Sequence, residues 1–246
     1  MLYSARPEAI ETIALLFAEF PSSGHGPGSW TNNHNRLIFG VPNIWLGGKR
    51  AVRSVGSALD ALGVTSKISQ GILIMARKGV ITFKGNPMTL LGNEVASGAA
   101  APAFTLHYFE GGLKTISNKD LAGKATILSV VPSLDTGVCA IQTKKFNQEL
   151  GSLGDKVNAV TVSRDLPFAQ NRFCGAEDVK NMKVGSDYQS GAFGESFGVM
   201  IDELKLLARS VFVLDKTGKV VYSEVVPEVT SEPNYEAALA ALKANA

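Results

Sequence analysis

Val131-Pro132-Ser133-Leu134-Asp135-Thr136-Gly137-Val138-Cys139-Ala140 is the stretch that decides how the rest of the chain is read. The apolar run before it, Ala125 to Val131, reads as a buried strand. In Ile141 to Leu150, which follows, the apolar residues at 141, 146 and 150 are expected on one helix face. The expectation is therefore strand, turn, helix. Asp135 or Thr136 is the expected N-cap, because either side-chain oxygen can accept from the unpaired amides of a first helical turn. Cys139 then falls within that turn, where free N–H groups and the positive end of the helix dipole favour a thiolate over a thiol. Taken alone, the same cysteine also fits a small buried apolar residue.

Working outward, Lys156 to Ser163 has a strand-like pattern, so the Val131–Ala140 stretch sits in a β–α–β unit with a parallel pair expected. Asp165-Leu166-Pro167-Phe168-Ala169-Gln170-Asn171-Arg172-Phe173-Cys174-Gly175 comes next. Pro167 suits a first helical turn and Gly175 a helix end, which puts Cys174 at the close of a short helix. Val80 to Phe83 and Met88 to Leu90 form a predicted hairpin around the turn Lys84-Gly85-Asn86-Pro87. A second hairpin joins Ser210–Leu214 to Val220–Val226 through Asp215-Lys216-Thr217-Gly218-Lys219. Gly185 to Asp202 reads as loop with a short helix. Tyr235, Ala238, Leu239 and Leu242 make the apolar stripe of a closing helix. Arg209 directly precedes a strand and, on local grounds, is a strand-edge surface arginine.

Pro132-x-x-x-Thr136-x-x-Cys139 resembles the active-site signature of the peroxiredoxins, and Ser133 to Cys139 is similar to the form found in their bacterial thiol peroxidase subgroup, which are atypical 2-Cys peroxidases. Asp165 to Gly175 resembles the resolving-cysteine segment of the same subgroup, Ala101 to Leu106 the family's entry strand, and Arg209 its active-site arginine. The resemblance runs from about Gly79 to the C-terminus. It implies an α/β, thioredoxin-like fold of peroxiredoxin type with an N-terminal β-hairpin. It further implies that Cys139 attacks hydrogen peroxide and alkyl hydroperoxides, that Arg209 and Thr136 donate to the developing charge, and that Pro132 shields the sulfur. Cys174 is then the resolving cysteine, the disulfide is recycled by thioredoxin, and the protein works as a cytoplasmic homodimer without metal or other cofactor. The two cysteines are 35 positions apart, on consecutive helices flanking one strand. A disulfide needs Cα atoms within about 7 Å, so closing one is expected to require unwinding at a helix end.

The remaining composition is ordinary. With 246 residues, 45% hydrophobic, the chain can bury a normal core, and a formal charge of +2 gives no long-range attraction for nucleic acid or membrane. Six Lys/Arg and four Asp/Glu precede Met75 and 18 of each follow it. No apolar run reaches the ~18–20 residues of a membrane span, and Ile13 to Ala18, behind Glu8 and Glu11, is a poor secretory signal. Two cysteines form no disulfide framework, so a reducing compartment is expected.

Residues 1–74 read as an N-terminal extension of unknown role with two readings open, a segment outside the functional unit with Met75 as the working start, or a genuine interaction or regulatory extension; 75–246 is the expected peroxidase domain. Glu8 to Phe20 and Ser54 to Leu62 carry helical periodicity, and Ser22 to Asn35 is a breaker-rich loop. Leu46-Gly47-Gly48-Lys49-Arg50 lacks the spacing and hydroxyl of a P-loop. His25 and His34 have no cysteine near enough for a zinc site, and Lys49, Arg50 and Arg53 read as a solvated face. Two other functions stay open. A thiol–disulfide oxidoreductase on the same fold is disfavoured by the lack of Cys-x-x-Cys. A redox-sensing interaction protein would oxidise once where a peroxidase turns over.

Overall fold

The computed structural model describes the backbone at 45–46, 49–50, 66–69 and 72–246, with side chains from Met75 onward. The helical readings at Glu8–Phe20 and Ser54–Leu62, the loop at 22–35, and His25, His34 and Arg53 lie outside the described residues.

Along the described chain run β1 (Trp45–Leu46), β2 (Lys49–Arg50), β3 (Ser66–Ser69), β4 (Ile72–Phe83), β5 (Asn86–Leu91), β6 (Thr105–Phe109), β7 (Leu113–Ser117) and β8 (Ala125–Val130). Then come α1 (Gly137–Leu150), β9 (Val157–Ser163), α2 (Pro167–Ala176), β10 (Lys183–Ser186), α3 (Ala192–Ser196), β11 (Met200–Ile201), β12 (Ser210–Leu214), β13 (Val220–Val225) and α4 (Tyr235–Asn245). The central sheet has the order β13-β12-β8-β9-β10-β6-β7, and a second sheet has the order β11-β5-β4-β3. β8 and β9 are parallel, with Ala125 opposite Val157, and β12 runs antiparallel on the other side of β8. This is the expected α/β, thioredoxin-like arrangement.

β8 is buried along its whole length, because both faces of the sheet are covered. Its side chains alternate between two cores. Ile127 packs in the core that holds Phe146 and Leu150 of α1 and Leu239 and Leu242 of α4; Leu128 and Val130 pack in the opposite core with Phe193, Phe197 and Phe212. Full burial of each such side chain contributes about 1.5–3 kcal/mol. The stripe Tyr235, Ala238, Leu239 and Leu242 is buried as its spacing predicts.

Four details differ from the sequence reading. Ile141 is 48% exposed, whereas Cys139, Gln142, Thr143, Phe146 and Leu150 are the buried residues of α1. Positions 141 and 146 lie about 140° apart around a helix, so they never shared a face. Gly185 and Ser186, the start of the stretch read as loop, belong to the strand Lys183–Ser186. It is fixed by parallel pairing to β9 and antiparallel pairing to β6, not by its own propensity. The entry strand begins at Thr105, because the preceding residues bond elsewhere: the Phe104 amide donates to Asn118 Oδ1, whose amide group donates to the Pro102 carbonyl. Finally, the β4–β5 hairpin closes in two residues, Lys84 and Gly85, both left-handed at φ 51° and 78°, leaving Asn86 and Pro87 in β5. Such a mirror-image turn matches the twist of the strands it joins. Glu228 accepts from the amides of both turn residues.

Candidate active site

At the end of β8 the Val131 amide still donates to the Val162 carbonyl at 2.9 Å, which continues the pairing with β9. Pro132, buried, has no N–H to extend the ladder, and the chain leaves the sheet there. Ser133 to Thr136 form a tight turn in which the Thr136 amide donates to the Ser133 carbonyl at 3.1 Å. The Ala140 amide then donates to the Thr136 carbonyl at 3.0 Å as α1 begins. Thr136 is thus the N-cap residue, as expected, but its side chain accepts from no helix amide. It faces the sulfur instead: Thr136 Oγ1 lies 2.8 Å from Cys139 Sγ and 3.0 Å from the Ser133 carbonyl oxygen. One hydroxyl proton serves one of these acceptors at a time. With a thiolate at Cys139 the hydroxyl donates to sulfur; with a thiol the S–H can donate to Oγ1 while the hydroxyl turns to the carbonyl.

Arg209 directly precedes β12, and β12 is the antiparallel neighbour of β8, so strand pairing brings its side chain under the first turn of α1. It is 2% exposed, which replaces the local expectation of a surface arginine. Nε donates to the Val229 carbonyl at 2.9 Å, Nη1 to Gln142 Oε1 at 2.6 Å, and Nη2 to Cys139 Sγ at 3.3 Å. Among the described residues no carboxylate pairs with this guanidinium, and the Cys139 sulfur is one of its three hydrogen-bond partners. Cys139 itself is fully buried.

The sequence reading missed two supporting groups. Gln142, one turn after Cys139 and fully buried, holds Arg209 through Oε1 and donates from Nε2 to Ser129 Oγ of β8 at 2.9 Å. Asp165 accepts from Ser133 Oγ at 2.7 Å and from the Leu134 amide at 2.8 Å, which anchors the turn before α1. A polar Gln at i+3 from Cys139 was a detectable signal, but its partners lie on other elements.

Cys174 lies in the last turn of α2, half-buried; Pro167 opens that helix as expected, and Gly175 stands one residue before its last, Ala176. Both cysteines are free thiols and belong to the same apolar core. Burial pushes the Cys174 thiol up to about 11. It lines a cavity of about 360 Å³ with Tyr108, Phe109, Asn171, Met182 and Lys183. Near it, Lys144 of α1 pairs with Glu177 at 2.9 Å, and Asn147 Oδ1 accepts from the amides of Lys180 and Asn181. The structure therefore brings Thr136, Arg209 and Cys139 into contact and leaves Cys174 in a separate, adjoining setting. Among the described residues, no group of His, Cys, Asp and Glu is placed to hold a metal ion.

A cysteine in the first turn of a helix, at the end of a parallel strand and against a buried arginine, defines a thiol-based redox protein on a thioredoxin-like sheet. Residues 96–239 match the Redoxin family. The thiol peroxidase of Bacillus subtilis (strain 168) is 56% identical over 164 residues, covering 67% of this chain and 96% of that protein. That of Halalkalibacterium halodurans is 51% identical over 164 residues, covering 67% and 97%. Among solved structures, a peroxiredoxin-like protein from Aquifex aeolicus is 39% identical, with a TM-score of 0.63 over 69% of this chain and 98% of that one. The thiol peroxidase from Chromobacterium violaceum, 14% identical, shares the fold with a TM-score of 0.59 over 67% of this chain and 95% of its own. The chain belongs to the thiol peroxidases of the Redoxin family and is a thiol-dependent peroxidase.

Proposed function

We propose that Cys139 is the peroxidatic residue and Cys174 the resolving one. The Cys139 thiolate attacks one peroxide oxygen, the O–O bond breaks, and the departing oxygen leaves as alcohol or water after taking up a proton. Cys139 is left as a sulfenic acid. Arg209 and the Thr136 hydroxyl donate to the reacting oxygens as negative charge moves onto them, which lowers the barrier. Pro132 screens the sulfur from water. Because Cys139 is fully covered, a peroxide reaches it when the rim at Thr136 to Val138 yields. The sulfenic acid then condenses with the Cys174 thiol: an S–S bond forms, the S–O bond breaks, and water leaves. A thioredoxin-like dithiol restores both thiols by exchange.

One observation carries this reading: Thr136 Oγ1 and Arg209 Nη2 converge on the Cys139 sulfur at 2.8 Å and 3.3 Å. The substrates are hydrogen peroxide and alkyl hydroperoxides, and the enzyme works as a homodimer in the reducing cytoplasm. The peroxidase unit is 75–246, with 1–74 an extension; β4 (Ile72–Phe83) runs across that boundary. The test is NADPH consumption with thioredoxin, thioredoxin reductase and peroxide. Continuous turnover is expected. A single stoichiometric oxidation without turnover would instead mark a redox sensor.

A further inference from the structure

One carboxylate ties together the two segments that this proposed reaction has to separate. Asp165 lies between β9 and α2, two residues before Pro167. Its Oδ1 accepts from Ser133 Oγ at 2.7 Å, and its Oδ2 accepts from the Leu134 amide at 2.8 Å and from Ser163 Oγ at 2.7 Å. Ser163 Oγ in turn accepts from Gln170 Nε2 at 2.9 Å, and the same amide donates to the Gly185 carbonyl at 3.1 Å. Gln170 is buried on α2, one turn before Cys174. On the other side, the Ser133 carbonyl accepts from the Thr136 amide at 3.1 Å, and the Thr136 hydroxyl reaches the Cys139 sulfur. The Asp165 main-chain carbonyl is also engaged, by Ser186 Oγ.

The chemistry of these contacts is uneven in a useful way. Hydrogen bonds to an ionised acceptor are about twice as strong as neutral ones. Among the described residues, the donors to the Asp165 carboxylate are two hydroxyls and one amide, all neutral. The carboxylate is therefore held by geometry and not by a cation that could follow it elsewhere. Moving either Ser133 or the start of α2 breaks at least one of these bonds.

We infer that Asp165 is a positioning residue that latches the Cys139 turn to the start of the Cys174 helix, and that the latch opens as the disulfide forms. The inference rests on the proposed roles of the two cysteines, and it adds the element that couples their movements. While the latch is closed, Thr136 is held on Cys139 and the site is set for peroxide. Unwinding α2 to present Cys174 draws Gln170 and Asp165 away, so the turn before α1 loosens in the same event.

Amide hydrogen exchange read by mass spectrometry on the fully reduced full-length protein tests this directly. In Asp165→Asn, which keeps the shape but replaces one acceptor oxygen by a donor, exchange is expected to rise about tenfold or more in 133–140 and 167–176 together. Exchange in β8, β12 and α4 is expected to stay as in the wild type. Ser133→Ala, which removes the Oδ1 contact and the 3.3 Å acceptor of the Asp135 amide while leaving both Oδ2 contacts, should raise exchange in the same two segments by a smaller factor. A rise confined to one segment, a rise spread over the whole sheet, or no rise in a folded variant overturns the latch. If Asp165→Asn fails to fold, Ser133→Ala decides alone: a rise limited to 133–140 refutes coupling. These measurements use no oxidant, so they stand or fall separately from the cysteine roles, which disulfide mapping of peroxide-treated wild type tests.

Discussion

Replacing Arg209 by methionine removes one positive charge and keeps most of the buried volume, so its effect on rate follows from the electrostatics of the site. Nη2 is 3.3 Å from the Cys139 sulfur. Two unit charges at that distance, at an effective dielectric constant of about 20, interact by about 5 kcal/mol. The guanidinium charge is spread over three nitrogens, so the share felt by the sulfur is smaller, on the order of 3–4 kcal/mol. Not all of it reaches the barrier, because charge leaves sulfur for the departing oxygen as the O–O bond breaks. Loss of one preoriented donor of this kind costs about 10²–10³ in rate, and that is the expected fall in the second-order rate constant for peroxide. The same change leaves Gln142 Oε1 and the Val229 carbonyl without their donor, at about 1–3 kcal/mol each. A melting temperature lowered by roughly 5–15 °C is therefore expected as well. The rate is measured at 25 °C by competition for hydrogen peroxide, after near-UV circular dichroism has shown that the variant is folded. A folded Arg209→Met variant whose rate constant stays within about threefold of wild type would refute the reasoning.

The other predictions divide the reaction into its parts. Cys139→Ser should abolish peroxide consumption, whereas Cys174→Ser should still form a sulfenic acid, trapped by dimedone, and lose thioredoxin-supported turnover; equal loss of the first oxidation in both variants would contradict the roles assigned. Thr136→Val removes the hydroxyl 2.8 Å from sulfur and should slow that first step by about 10–100-fold, while Thr136→Ser keeps most of the rate in the same competition assay. The Cys174 thiol is raised by burial to about 11, above the roughly 8.5 of an exposed thiol. Its contribution to stability is therefore complete below the unfolded value and is lost as pH rises toward the folded one. If closure proceeds from unwound α2, quenched-flow rates of disulfide formation should level off near pH ~8.5; a rise continuing to pH 11 would mean that the folded helix reacts.

Much of the architecture was legible in the chain because its causes are local. An apolar run before a proline, a breaker-rich turn and a Pro–Gly-bounded segment mark β8, α1 and α2 through propensity and capping chemistry, and the α4 stripe follows from helical period. The signature around Cys139 and the segment ending at Cys174 pointed to the two thiols by resemblance. Tertiary structure alone decided what surrounds them. Arg209 read locally as a surface residue and is buried, because β12 pairs with β8 and carries it beneath α1. The inward face of α1 is partly polar, with Gln142 and Thr143 beside Phe146, so hydrophobic period does not show its true orientation, and Ile141 faces solvent. β10 exists because β9 and β6 flank it, and Asp165 gains its position from serines 32 residues upstream and two residues back. A buried polar group is stable only when its partners are present. Sequence spacing shows such a group's own position along the chain, and the partners that justify its burial become visible only when distant strands are laid side by side.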